Sequence, residues 1–271
     1  MVESSASSAS ANPDRPAVSV VIPARDEEYE LPATLQSVAA AAADCSDLIG
    51  GLEVIVVDDG SIDRTAAIAA DAGARVVAVS LHNIGAVRNA GAAVATGDML
   101  VFLDADTRLP SATLRAAVAA VQAGAIGGGA GIEWDQTPPL LARVSSTAFL
   151  LGWQTMARWA TGCFIFCRRE AFAAVGGFDP QWLAAEERAL SIALKREASR
   201  RGLKWVILRE SVISSARKMR LFSTRELIGL SLPLLFGPEG LLRGGGELRS
   251  GRKLGFFYDA PREGGPAASS R

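Results

Sequence analysis

The 271-residue chain predicts an α/β fold: a single domain on a Rossmann-like, mostly parallel sheet with helices on both faces, followed by a helical C-terminal extension. Short β-branched runs alternate with Ala-rich stretches of helical period, a pattern that implies crossover connections between parallel strands. The runs VIVV and LVFL are apolar without alternation, so their strands need cover on both faces. Hydrophobic residues make up 49% of the chain, enough buried surface to offset its ordering entropy, which excludes disorder as the main description.

The first strand is VSVVIPA (18–24), and the helix after it carries Leu31, Leu35 and Val38 at i, i+4 and i+7. LEVIVVDD (52–59) is the second strand; Ser61 or Asp63 caps a helix bearing Thr65 and Ile68. ARVVAVS (74–80) and DMLVFLDAD (98–106) are the third and fourth strands, with a helix opened by Gly85 between them. Pro110 starts a helix over 110–123, where Leu114, Val118 and Val121 repeat the earlier spacing. Beyond residue 124 the alternation loosens. AGAIGGGAGIEW (123–134) crowds glycines, a helical pattern covers 138–160, and CFIFCR (163–168) reads as a strand. Residues 183–202 read as a long helix ended by Gly202, and WVIL (205–208) as the last strand.

Charge and cysteines narrow the function classes. With 28 Lys+Arg against 29 Asp+Glu the net charge is −1, so nothing favours binding to nucleic acid, which rests on neutralising many phosphates. Cys45, Cys163 and Cys167 make no disulfide framework; the last two lie about 13 Å apart on an extended segment, beyond bridging distance. A reducing compartment is expected. Residues 1–16 have no apolar h-region and read as a disordered tail, not a signal peptide. No run of 18 uncharged apolar residues occurs, and 227–242, LIGLSLPLLFGPEGLL, is broken by Pro233 and Gly237. That run packs into a core or lies on a membrane surface.

In an open parallel sheet, ligands bind beyond the carboxyl ends of the strands. Here VVIP runs into Ala24, Arg25, Asp26 and Glu27, VIVV into Asp58, Asp59, Gly60 and Ser61, and LVFL into Asp104, Ala105, Asp106 and Thr107. On an extended chain Asp104 and Asp106 point to one face, and two such carboxylates suit Mg²⁺ or Mn²⁺ with phosphate oxygens and water. The other reading is a pair of solvated turn aspartates.

The ordered motifs VVIPARDEE, VIVVDDGSIDRT, NIGAVRNAGAAVATGDMLVFLDAD and VGGFDPQWLAAEE, spread over residues 18–205, resemble glycosyltransferase family 2, enzymes of the GT-A fold that use sugar nucleotides. The resemblance implies a nucleotide-binding half over 17–107 and an acceptor-binding half over 108–220 of the same domain; by composition, 221–243 reads as an apolar helical segment and 244–271 as a mobile tail. It assigns Pro23, Ala24 and Glu27 to the loop lining the nucleotide pocket, Asp58 to the base, uracil-like, and Asp59 beside it. Arg88 then meets a phosphate or sugar hydroxyl; its alternative is a solvated helix arginine. Asp104 tends toward ribose and metal, and Asp106 binds the metal directly.

The resemblance also supplies a general base, with Glu187 the first choice and Glu186 the second. On one helix these neighbours differ by about 100° in direction, which argues against both facing one substrate atom. Their alternative is a favourable charge at a helix N-terminus. The chain departs from the usual Glu-Asp-x-Asp-Leu by reading Glu186-Glu187-Arg188-Ala189-Leu190, and its one histidine, His82, precedes the Asp-x-Asp segment. The cluster SSARKMR (214–220) brings Arg217, Lys218 or Arg220 over the diphosphate, or is a solvated charge run. Trp153, Trp159 and Trp182 flank the acceptor side, to stack on a sugar or to fill the core.

The expected activity is thus a metal-dependent, inverting, hexosyltransferase-like enzyme. It moves a sugar from a nucleoside diphosphate, UDP or GDP, to a hydroxyl on a carbohydrate, lipid-linked or small-molecule acceptor. The expected setting is the cytoplasm or the inner membrane face. Two rivals remain: a nucleotidyltransferase, which would need a Gly-rich basic phosphate loop where PARDEE stands, and a noncatalytic sugar-nucleotide-binding protein, which would not need Glu186 and Glu187. Zinc and thiol chemistry lack the paired ligand spacing, and neither a Gly-x-Ser-x-Gly elbow nor a phosphate-loop Gly-Lys-Ser/Thr sequence occurs.

Overall fold

The computed structural model describes residues 15–137, 158–182 and 185–217. Four of the β-branched runs pair as parallel strands β1 (Ala17–Ala24), β2 (Gly51–Asp58), β3 (Arg75–Ala78) and β4 (Met99–Leu103). Adding β5 (Thr107–Arg108), β6 (Ala125–Trp134), β7 (Phe164–Arg168) and β8 (Lys204–Ser214) gives an eight-stranded sheet in the order β3-β2-β1-β4-β7-β6-β8-β5. β7 runs antiparallel to both β4 and β6, whereas β6 and β8 pair parallel. The sheet is therefore parallel through its first half and mixed through its second.

Helices cover both faces. Along β4, Met99, Val101 and Leu103 enter the core under α1 (Leu31–Asp44) and α4 (Ser111–Gln122), where Leu31, Leu35, Val38, Leu114 and Val118 are all buried. The alternate residues Leu100 and Phe102 enter the second core under α3 (Ile84–Val94), α5 (Arg169–Ala174) and α6 (Glu186–Arg201). Phe102, Phe172 and Phe178 pack there with ring centroids 5.1–5.7 Å apart. α2 (Thr65–Asp71) has Arg64 as its N-cap, with no side-chain cap bond, so neither Ser61 nor Asp63 takes the expected N-cap position; Asp63 Oδ1 instead accepts from the Thr65 N–H at 2.9 Å just ahead of the helix.

Several boundaries differ from the expectation. The glycine-crowded stretch is β6, where four glycines among ten residues leave no regular side-chain alternation to announce it. A Cβ on Gly127 would stand 2.5 Å from the Phe166 carbonyl oxygen, and one on Gly129 2.7 Å from the Ala160 Cβ, so close approach of neighbouring chain selects glycine there. β8 continues past WVIL to Ser214, because its polar residues still pair with β6 and β5. Pro110 is the N-cap of α4, one residue before its first turn, and α6 opens at Glu186, not 183, after Ala185 in the left-handed region at φ 59°. Gly202 closes α6 at φ 67°, as expected. Residues 1–14, most of the 138–160 pattern, Trp153, the 221–243 segment and the 244–271 tail lie outside the described residues.

Candidate functional site

β4 ends at Leu103, and Asp104-Ala105-Asp106 is a turn closed by the Thr107 N–H donating to the Asp104 carbonyl at 3.1 Å. The extended geometry expected for this segment is therefore corrected: a turn, not a strand pleat, sets where its carboxylates go. Ala105 is buried in the first core and its carbonyl accepts from the Thr34 hydroxyl at 2.7 Å, which pins the turn from below. Asp106 is almost wholly buried, while Asp104 keeps a quarter of its side chain exposed.

Arg88 is the hub of the site. It projects from α3, fully buried, and donates to Glu186 Oε1 at 2.6 Å, to Asp104 Oδ1 at 2.8 Å and to the Gly162 carbonyl at 2.9 Å. The solvated helix surface does not describe this arginine, which is buried with its charge met by carboxylates. Burial works against that charge, but Asp104, Glu186 and Glu187 outweigh it and hold the guanidinium protonated. Its ring contact is Phe178, 5.4 Å below.

Glu186 and Glu187 both turn toward this hub, contrary to the angular argument from an ideal helix. They stand in the first turn of α6, where side chains lean back over the helix N-terminus, and both are long enough to converge. Burial pushes the Glu187 carboxyl well above its ordinary value, and the neighbouring Glu186 charge, to which it is hydrogen-bonded, pushes it further. Glu187 is thus an acid with a proton shared against its neighbour, next to an arginine already occupied by Asp104.

Arg217 builds a second cluster. It donates to both Glu27 oxygens, at 3.1 and 2.9 Å, and its Nη2 stands 4.0 Å from Asp106 Oδ2. Burial opposes its charge and Glu27 restores it. Backbone ties seat it there: Ser215 N–H donates to the Asp106 carbonyl and Ala216 N–H to Asp135 Oδ1. The 214–217 stretch is therefore a buried strap, not a solvated run; Lys218 and Arg220 lie outside the described residues.

The residues expected to hold the nucleoside lie at the tips of β1 and β2, beside the loop that follows β3. Asp58 Oδ1 accepts from the Ser61 N–H at 3.2 Å. Asp59 takes the backbone N–H groups of Leu81, at 2.6 Å, and His82, so its carboxylate is spent on holding that loop. Ala24 is buried in the first core, which leaves its backbone, with Pro23, to line the rim. Cys163 lies instead beside the Asp104 turn, its carbonyl accepting from the Asp104 N–H at 3.3 Å; burial pushes its thiol up to about 12, so it is inert.

Some partners were not visible in the motifs. Asn83 caps α3 by accepting from Ala86 at 2.8 Å and donates to the Pro180 and Trp182 carbonyls. Asn89 pairs with both backbone groups of Phe178, at 2.7 and 2.9 Å. Two motifs far apart in sequence are thus stapled into one wall, and the Asn/Gly spacing was the only trace of it.

The sequence profile described as glycosyl transferase family 2 matches residues 19–176. The chain belongs to that family. Among curated proteins it is 43% identical over 106 residues to an undecaprenyl-phosphate 4-deoxy-4-formamido-L-arabinose transferase of Aeromonas hydrophila, covering 36% of this chain and 32% of that protein. It is 33% identical over 148 residues to a glycosyltransferase of Mycobacterium bovis, covering 52% and 61%. The chain thus spans between a third and three fifths of these relatives. Among solved structures, S. aureus TarS with UDP-GlcNAc aligns at TM-score 0.58 and 17% identity over 80% of this chain and 66% of that one. Glucosyl-3-phosphoglycerate synthase from Mycobacterium tuberculosis, with Mn²⁺, UDP-glucose and phosphoglyceric acid, aligns at TM-score 0.54 and 20% identity over 82% and 81%. At these identities the likeness is one of fold, and the fold is GT-A.

For a family-2 glycosyltransferase the rim chemistry is apt. Asp104 and Asp106 offer hard carboxylate oxygens, with no sulfur or imidazole beside them in the turn, which fits Mg²⁺ or Mn²⁺ better than a softer ion. Among the described residues no cluster of three protein ligands forms, so further ligands would come from the diphosphate and water. Of the tryptophans expected to flank an acceptor, Trp182 is buried and Trp159 carries the Arg188 guanidinium 4.8 Å over its ring. No described helix is long and apolar enough to cross a membrane.

Proposed function

We propose that this family-2 glycosyltransferase moves a sugar from UDP or GDP to a hydroxyl acceptor, with a divalent cation and with inversion at the anomeric carbon. The observation that carries the reading is Arg88, which joins the first carboxylate of the Asp-x-Asp turn to the acid pair of α6, so a donor site and a proton acceptor share one buried hub. Residues 17–107 hold the nucleotide and 108–220 the acceptor. Asp106, with Asp104, would hold Mg²⁺ or Mn²⁺, which when bound neutralises charge building on the departing diphosphate.

The chain's own residues do the rest. Asp58 and the β1 rim, Pro23 and Ala24, orient the nucleoside; Glu27 seats Arg217 beside Asp106, where its charge reaches the diphosphate. Arg88 pairs with Glu186, and Glu187, once deprotonated, takes the proton from the acceptor hydroxyl as that oxygen attacks. Its raised value brings its basicity closer to the acceptor's working range. The inner membrane face, with a lipid-linked acceptor, or the cytoplasm, with a soluble one, is the setting.

Titrating Mn²⁺ with UDP and with GDP by calorimetry tests this reading. Metal-dependent binding of either by the native chain, abolished in Asp106→Ala, is expected; unchanged binding in the variant removes the metal assignment.

A further inference from the structure

Two non-glycine residues at the tips of the first strands have left-handed backbones: Asp26, after β1, at φ 50° and His82, after β3, at φ 48°. Such conformations are costly and persist only where neighbours impose them. Here the neighbours do so through hydrogen bonds. Asp26 N–H donates to the Ser61 hydroxyl at 2.9 Å, and Asp26 Oδ1 accepts from the Ile62 N–H at 2.8 Å. His82 is held by Asp59, which accepts its N–H at both oxygens and also takes Leu81. A buried carboxylate at the tip of β2 is therefore used to fix a strained turn whose side chain points out: the His82 ring is about half exposed.

The ring is also oriented. Arg25 Nη1 stands 3.0 Å from His82 Nδ1. Arginine can only donate, so Nδ1 accepts and the ring proton sits on Nε2, the nitrogen turned away from Arg25. What this loop presents at the rim is a single N–H donor on a flat ring, pre-set by one arginine and one aspartate. Nothing in folding calls for it, since an exposed imidazole contributes little to the core.

We propose that His82, oriented by Arg25 and clamped by Asp59, is a specificity-determining residue of the nucleotide pocket that donates from Nε2 to a carbonyl oxygen of the base. The inference rests on the sugar-nucleotide reading above and reassigns Asp59 from contacting the nucleotide to positioning the residue that does. Uracil carries carbonyl oxygens at its hydrogen-bonding edge; adenine carries none. A donor at this location therefore favours UDP over ADP.

Calorimetry with Mn²⁺ and either UDP or ADP separates the possibilities. The native chain is expected to prefer UDP. His82→Ala should weaken UDP about tenfold, the worth of one well-placed hydrogen bond, and leave ADP unchanged. His82→Gln, which keeps an N–H donor at similar reach, should recover part of the loss. An equal loss for both nucleotides would make His82 a structural residue, and an unchanged UDP affinity in His82→Ala would remove it from the pocket; either result overturns the inference while leaving the transferase reading intact. Failure of the native chain to bind UDP, GDP or ADP would instead bring down the reading beneath it.

Discussion

Asp104 and Asp106 are two residues apart in one turn, yet each meets a different arginine, and the two environments are unlike. Asp104 shares Arg88, which is fully buried and bonded to three acceptors from three parts of the chain. Asp106 meets Arg217 only at 4.0 Å, because that arginine is bonded bidentately to Glu27. The first arginine builds the wall of the site; the second sits on a strap at the end of β8 and is held by one carboxylate. Neighbouring carboxylates can thus be divided into a fixed partner of the scaffold and one whose electrostatic balance can be changed by a ligand.

The comparison breaks most visibly at the hub. Arg88→Met keeps much of the volume but leaves the buried Glu186 and the partly exposed Asp104 without their cation. Removing one partner of such an arrangement costs about 3–5 kcal/mol. Urea unfolding should show that loss, and transfer should disappear with it. A variant that retains native stability would mean the hub carries no more than a surface pair.

The acid pair sharpens the comparison by pH. Glu187→Gln should lower the transfer rate by about 10²–10⁴ while nucleotide affinity stays unchanged, as expected of a proton acceptor. Its stability should also respond with a definite sign. The folded chain keeps a proton on Glu187 that the unfolded chain releases above the ordinary value of 4.5, so native stability falls as pH rises from there to the raised value and is level beyond. The slope is at most about 1.4 kcal/mol per pH unit. Glu187→Gln should flatten it, and the acid limb of kcat/KM in the native enzyme should lie above the usual carboxylate range. A slope identical in both proteins would return Glu187 to ordinary ionisation.

How far each half of the site was legible follows the same division. The first half of the sheet is readable because parallel strands buried on both faces write uninterrupted apolar runs, and their polar tips stand out: β1, β2 and β4 fall within a residue or a few of the runs that mark them. The second half is not. β6 is built of glycines chosen for the approach of Phe166 and Ala160, so no side-chain period marks it, and the antiparallel insertion of β7 cannot be told from a parallel strand by composition. The acids at 186 and 187 were found by motif, but their convergence was not, since it depends on where α6 opens. Arg88 stands out by its position but not by its role, because spacing places a cation near carboxylates without telling whether it faces them or a ligand.

The smallest effect is expected at the strap. Arg217→Ala leaves the one buried carboxylate of Glu27 without the hydrogen bonds it takes from that arginine, a cost of about 1–3 kcal/mol, below that at the hub, where two carboxylates and a carbonyl lose their donor. Its sharper signature is electrostatic. With the arginine gone, Asp106 loses a competing positive charge 4.0 Å away, so Mn²⁺ alone should bind more tightly, whereas the diphosphate loses a cation and UDP with Mn²⁺ should bind several-fold more weakly. Opposite movement of these two affinities, read by calorimetry on the same variant, places Arg217 between metal and phosphate. If both weaken together, the strap merely braces the pocket, and the division between a fixed and an adjustable carboxylate has no basis in the energetics.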